Sequence, residues 1–180
     1  MRAFIAIDLP EHLKAEIFKK AENLFGKKLF FGNITDKNNF HLTLRFLGDV
    51  SSDKAEEITK KLGGIKLKKF SCSTGKIGFF DDESHVKVIW IELVSDEFKK
   101  IDSEISKTFA EFPSDYEEFS PHVTMARVKS VTNRKDLIEE LKKINLRRIN
   151  FDVNEICLMK SELAKEGQRY KVIGKIKLVD

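Results

Sequence analysis

Apolar and polar positions along the chain keep two periods. Strand-length apolar runs occur at "RAFIAID" (2–8), "FHLTLRFL" (40–47), "KVIWIEL" (87–93) and "HVTMARV" (122–128). Four other segments repeat apolar residues every three or four positions, which marks amphipathic helices. From Glu11 to Gly26 they are Leu13, Ile17, Phe18, Ala21, Leu24 and Phe25. Ala55, Ile58 and Leu62 form the second set, behind an N-cap at Ser51 or Ser52 and before the stop at Gly63 and Gly64. Phe98, Ile101, Ile105, Phe109 and Phe112 form the third, capped by Ser95 or Asp96 and broken by Pro113. Leu137, Ile138, Leu141 and Ile144 form the fourth, capped by Thr132 or Asn133. Polar stretches 32–39 and 114–121 read as loops. Short strands are expected at 66–73 and 76–80, and two more at 149–159 and 170–179.

The order strand, helix, loop, strand, helix, strands therefore occurs twice. This predicts one two-lobed domain built from an internal duplication, approximately 1–82 and 83–180, with each strand's apolar face under the helices of its own half. A chain of 180 residues is long enough for one such domain without a disulfide or metal to hold it. The 41% hydrophobic and 34% charged fractions belong to a well-charged globular protein. A net charge of +4 permits an anionic partner but does not by itself argue for DNA binding. Cys72 and Cys157 stand far apart, with no CxxC or Cys/His cluster, and read as buried thiols. The opening apolar run is too short for a signal peptide, and no run approaches the roughly 18 apolar residues of a membrane span. A cytoplasmic monomer with no membrane partner is expected.

Two of the four histidines change this picture. In "FHLTLRFLG" and "SPHVTMARV" a histidine is followed two places later by a threonine. On a strand such residues share a face. His41 and Thr43 then point one way with Arg45, and Leu42 and Leu44 the other. His122 and Thr124 oppose Val123 and Met125 in the same manner. Brought together in a cleft between lobes, two imidazoles and two hydroxyls suit a tetrahedral oxyanion. One imidazole donates a proton to a leaving oxygen while the other takes one from water. The hydroxyls donate to the non-bridging oxygens. Nothing in this chemistry requires a metal, and no carboxylate or cysteine stands at ligand spacing beside either histidine. His12, on the first helix, and His85, in "DDESHV", read as solvated.

"HLTLRFLG" and "PHVTMAR", with "RAFIAID", "VIWIEL" and the tail "LMKSELAKEGQRYKVIGKIKL", resemble the two-histidine phosphoesterase superfamily over nearly the whole chain. The closest branch is the RNA 2′,3′-cyclic phosphodiesterase, or 2′-5′ RNA ligase-like, family. The resemblance implies an α+β, bilobal fold: two antiparallel sheets facing a central cleft, with helices outside. It implies metal-independent hydrolysis of RNA 2′,3′-cyclic phosphate ends, tRNA fragments among them, to 2′-phosphates, with nucleotides able to bind the cleft and no cofactor. His41 would be the proton donor and His122 the acceptor, a division the sequence alone leaves open. Thr43, Thr124 and Arg127 would bind the phosphate. Arg127 lies off the Thr124 face of an ideal strand, so a bulge or the strand end is needed to bring it there. Arg45, Phe79 and Tyr170 are candidate RNA contacts; Phe79, Phe80 and Tyr170 could stack on a terminal base, each against a reading as core. The basic stretches "IKLKKF" and "LKKINLRRINF" are read as charged outer faces or as an electrostatic track for that RNA. The alternatives are a 2′-5′ RNA ligase joining tRNA halves, and a non-catalytic RNA- or nucleotide-binding module.

Overall fold

The structure, a computed structural model, describes residues 1–81, 85–112, 118–144, 146–164 and 167–180. The apolar runs become strands and the amphipathic segments helices. In chain order these are β1 (Arg2–Asp8), α1 (Glu11–Gly26), β2 (Phe30–Ile34), a 3-10 turn (Lys37–Asn39), β3 (His41–Asp49), α2 (Ser52–Gly64), β4 (Phe70–Asp81) and β5 (Val86–Val94). They continue with α3 (Phe98–Thr108), β6 (His122–Val131), α4 (Arg134–Lys143), β7 (Asn150–Val153), β8 (Glu155–Ala164) and β9 (Gly167–Lys177). Ser51 caps α2 by accepting the Lys54 N–H, and Asn133 caps α4 by accepting the Asp136 N–H. Pro113, expected to break the third helix, lies outside the described residues, as do residues 114–117 of the loop that follows it.

Two sheets form, with strand orders β3-β1-β8-β9 and β2-β6-β5-β4-β7. All named pairings within them are antiparallel. The runs β3-β1-β8 and β6-β5-β4 occupy equivalent places in the two sheets. The lobes nevertheless do not follow the expected boundary near residue 82. β4, which follows α2, crosses to pair with β5, while β8 and β9 cross back to extend β1. The helices cross over too: α1 packs on β2 and β6, and α3 on β3, so each histidine strand lies under a helix of the other half. Local patterns specify which residues face a core but not which distant strand they pair with, so this exchange is invisible in the periodicity.

Other boundaries shift for definable reasons. The polar stretch 32–39 contains the end of β2 and the 3-10 turn, because an edge strand beside β6 needs only one apolar flank. The segments expected at 66–73 and 76–80 are one strand, 70–81, with a register slip between Thr74 and Ile77. The run 149–159 divides into β7 and β8, which join different sheets.

One core fills the space behind both sheets: Ile5, Ile7, Leu42 and Leu44 from the first, Ile89, Ile91, Val123 and Met125 from the second, with Leu13, Ile17, Ile58, Ile105 and Leu137 from the helices. Burial of this apolar area is the dominant stabilising term. Cys72 and Cys157 are buried free thiols, and burial pushes them up to about 12 and about 11. Both are therefore unreactive at neutral pH. Among the described residues, no helix is long and apolar enough to cross a membrane.

Candidate active site

His41 and His122 each open their strand, half-buried, with Thr43 and Thr124 on the same face. Asp8 and Ala6 of β1 lie opposite His41 and Thr43, and Glu92 and Trp90 of β5 lie opposite His122 and Thr124. The two motifs are thus built alike down to the acid across from each imidazole.

The next residues depend on a bulge. In β3 the register slips so that Ala6 faces Thr43 but Ile5 faces Arg45, and Leu44 is the extra residue. In β6 Trp90 faces Thr124 but Ile89 faces Ala126, and Met125 is extra. An extra residue flips the alternation beyond it. Arg127 therefore turns onto the Thr124 face and is exposed, which meets the requirement its position set. The same bulge corrects the placement of Arg45. It does not share the His41 face but points into the protein, 6% exposed, where its guanidinium donates to Ser106 Oγ at 3.0 Å and to the Phe112 carbonyl at 2.5 Å. Arg45 thus ties β3 to α3. Phe46 takes the cleft-facing place equivalent to Arg127 and is 44% exposed. Sequence reasoning passed over Phe46. Its signal was available, since it stands five residues after His41, as Arg127 does after His122.

Gly32 of β2 lies close against the Arg127–Val128 backbone of β6, beside a register slip of its own. A Cβ there would lie 2.2 Å from the Arg127 carbonyl oxygen and 3.0 Å from Val128 Cα, both backbone atoms that cannot swing away. Gly32→Ala should destabilise the fold by about 1–3 kcal/mol, as overpacking does. Denaturant unfolding would show this, and an unchanged midpoint would mean that β2 gives way without cost.

Aromatic rings wall both imidazoles. Tyr170 meets His41 edge-on, with centroids 4.9 Å apart at 84°, and Phe4 lies 4.9 Å away on another side. Phe80 meets His122 edge-on at 4.8 Å and 87°, with Trp90 behind it. One ring of each wall, Tyr170 of β9 and Phe80 of β4, comes from an exchanged strand, so each half of the chain packs a ring on the other half's histidine. Phe79 points the other way and packs against the main core, so Phe80, not Phe79, is the ring beside the site. His12 and His85 are exposed and belong to neither wall.

Each histidine places its Nδ1 2.6 Å from a backbone carbonyl two residues earlier, Asn39 for His41 and Ser120 for His122. A carbonyl only accepts, so Nδ1 carries the proton and Nε2 is the atom that gains or loses one. His41 Nε2 lies 3.0 Å from Thr43 Oγ1. Burial pushes His41 down to about 4. The Asn39 carbonyl and Asp8 oppose that shift, while His122 and Lys14 add to it. Burial also lowers His122, opposed by the Ser120 carbonyl and reinforced by the charge of Arg127. Such an arrangement can pass protons at two points in one cleft, beside hydroxyl and guanidinium donors suited to an anion. Among the described residues, no group of three or more His, Cys, Asp or Glu side chains is placed to hold a metal ion.

Residues 9–165 match the model of the 2′-5′ RNA ligase superfamily. A Methanocaldococcus jannaschii protein named RNA 2′,3′-cyclic phosphodiesterase is 33% identical, over 96% of this chain and 98% of its own. An Aeropyrum pernix protein of the same name is 31% identical, over 79% and 84%. Among solved structures, Escherichia coli LigT complexed with 3′-AMP superposes with a TM-score of 0.76 at 23% identity, covering 99% of this chain and 98% of that one. A Thermus thermophilus protein gives 0.80 at 21% identity, over 99% and 98%. The chain belongs to the 2′-5′ RNA ligase superfamily.

Proposed function

We infer that the protein is an RNA 2′,3′-cyclic phosphodiesterase, a hydrolase that opens terminal 2′,3′-cyclic phosphates to 2′-phosphates. Relatives named for that activity match nearly the full chain. The observation that carries the mechanism is the duplicated anchor: two imidazoles with Nδ1 tied at 2.6 Å to a carbonyl, each with a threonine two residues on. Water attacks phosphorus in line with the O3′–P bond. His122 Nε2 takes the water proton as the new P–O bond forms. The P–O3′ bond breaks, and protonated His41 delivers its Nε2 proton to O3′. The products are a 2′-phosphate and a free 3′-hydroxyl, and the histidines have exchanged protonation states. Thr43, Thr124 and Arg127 donate to the non-bridging oxygens as charge builds on them. RNA is the partner this reading assigns, with Phe80 and Tyr170 near enough to the imidazoles to touch its terminal nucleoside.

The test is hydrolysis of a short RNA bearing a 2′,3′-cyclic phosphate, in EDTA, with the product identified. A 2′-phosphate formed at an undiminished rate is expected. A 3′-phosphate, or activity lost to the chelator, would overturn the mechanism. Supplying an RNA with a 5′-hydroxyl in the same assay checks for the reverse reaction, which should stay minor because water is in excess.

A further inference from the structure

β3 and β9 are the two edges of their sheet. At the end where His41 begins β3, the 3-10 turn just before it reaches β9, and one side chain joins the two. Asn39 Nδ2 donates to the Gln168 carbonyl at 2.7 Å, and Asn39 Oδ1 accepts the Tyr170 N–H at 3.2 Å. The amide thus pairs with the outer edge of β9 as a peptide group of a further strand would. The backbone carbonyl of the same residue accepts His41 Nδ1–H. Asn39 is itself held by the 3-10 turn, where its N–H donates to the Asp36 carbonyl at 2.9 Å and the Asp36 carboxylate accepts the Asn38 N–H at 2.9 Å.

We propose that Asn39 is a positioning residue for His41: it fixes Nδ1 through its carbonyl and, through its side chain, clamps β9 so that the Tyr170 ring closes over the imidazole. The consequence for function rests on His41 acting in proton transfer. Asn39 O, Thr43 Oγ1, the Tyr170 edge and the Phe4 ring contact the imidazole, and Asn39 governs the first and third of these. With the clamp cut, β9 loses both hydrogen bonds to the Asn39 side chain, and water gains a path to a ring whose titration is set mainly by burial. The charged and titratable groups facing His41 are Asp8 on β1, its partner Lys14 on α1 at 2.8 Å, His122 on β6 and Tyr170 on β9. Substituting Asn39 alters none of their charges, so a change in titration reports the clamp.

The experiment compares Asn39→Ala, Asn39→Ser and the neighbouring Asn38→Ala with the parent protein. It measures His41 by NMR pH titration, along with kcat, KM and the unfolding midpoint. Both Asn39 variants should raise the His41 titration point toward the ordinary histidine value. They should also lower kcat about tenfold or more, with KM within about twofold, as misplacement of a reacting group does. Asn38→Ala should match the parent. The proposal is overturned if either folded Asn39 variant keeps the parental His41 titration, whatever its kcat. Serine, which suits a turn, supplies a folded variant if alanine does not. The titration needs no substrate, so it decides the clamp even if the cyclic-phosphate assay fails.

Discussion

Replacing either His41 or His122 with alanine should lower kcat by about 10²–10⁴-fold, the usual worth of a positioned general acid or base. The double substitution should cost little more than the worse single one, because the two proton transfers belong to one displacement. The pH dependence supplies the check that assigns roles. Burial lowers both imidazoles, His41 to about 4, so the bell of kcat/KM, which reports the free protein, should centre on the acid side of pH 6.5. A bound phosphate anion favours imidazolium and raises both values, so the bell of kcat should lie to the alkaline side of that for kcat/KM. The group that must be protonated sets the alkaline limb, and the group that must be neutral sets the acid limb. If His41 is the acid, His41→Ala loses the alkaline limb and His122→Ala the acid limb. The reverse pattern would exchange the roles, and wild-type rates in either folded variant would end the mechanism.

The proposed proton-transfer pair was legible because strand alternation is a strong local signal: a histidine and a threonine two apart, opposite buried Leu42 and Leu44 or Val123 and Met125, can face only the cleft. The bulges were not legible in that way. An extra residue at Leu44 or Met125 leaves the apolar pattern plausible in either phase, since leucine and methionine suit a core on both readings. Arg45 was therefore assigned to the wrong face. Arg127 gave a usable clue, a cation stranded opposite the threonine, which called for a bulge. Applying that inference to both strands would have moved Arg45 inward and Phe46 outward. β2 was missed because "FFGNI" carries glycine and asparagine where strands seldom do. The close approach of Gly32 to the Arg127 carbonyl explains the glycine, but that contact exists only once β2 has joined the other half's sheet.

Arg127→Ala should lower kcat by about 10²–10³-fold, the loss that follows removal of one preorganised donor to developing oxyanion charge. The bulge leaves Met125 without a register partner on β5, and its effect on the cleft is to place this guanidinium on the Thr124 face. The equivalent bulge in β3 puts a phenyl ring there instead, so cationic charge at the phosphate is one-sided and Phe46→Ala should have a far smaller effect. Arg127 also acts on its neighbour, because its charge helps hold His122 below the ordinary histidine value. Removing that charge should let the His122 pKa rise, moving the acid limb to higher pH if His122 is the base. Arg127→Lys should restore the position of that limb, since it restores the charge. It should recover kcat only in part, because an ammonium lacks the planar fork that meets two phosphate oxygens at once. Calorimetric titration with inorganic phosphate separates binding from turnover: affinity should fall in the alanine variant and largely return with lysine. Parental kcat together with an unmoved limb in Arg127→Ala would show that the guanidinium faces the cleft without serving the reaction.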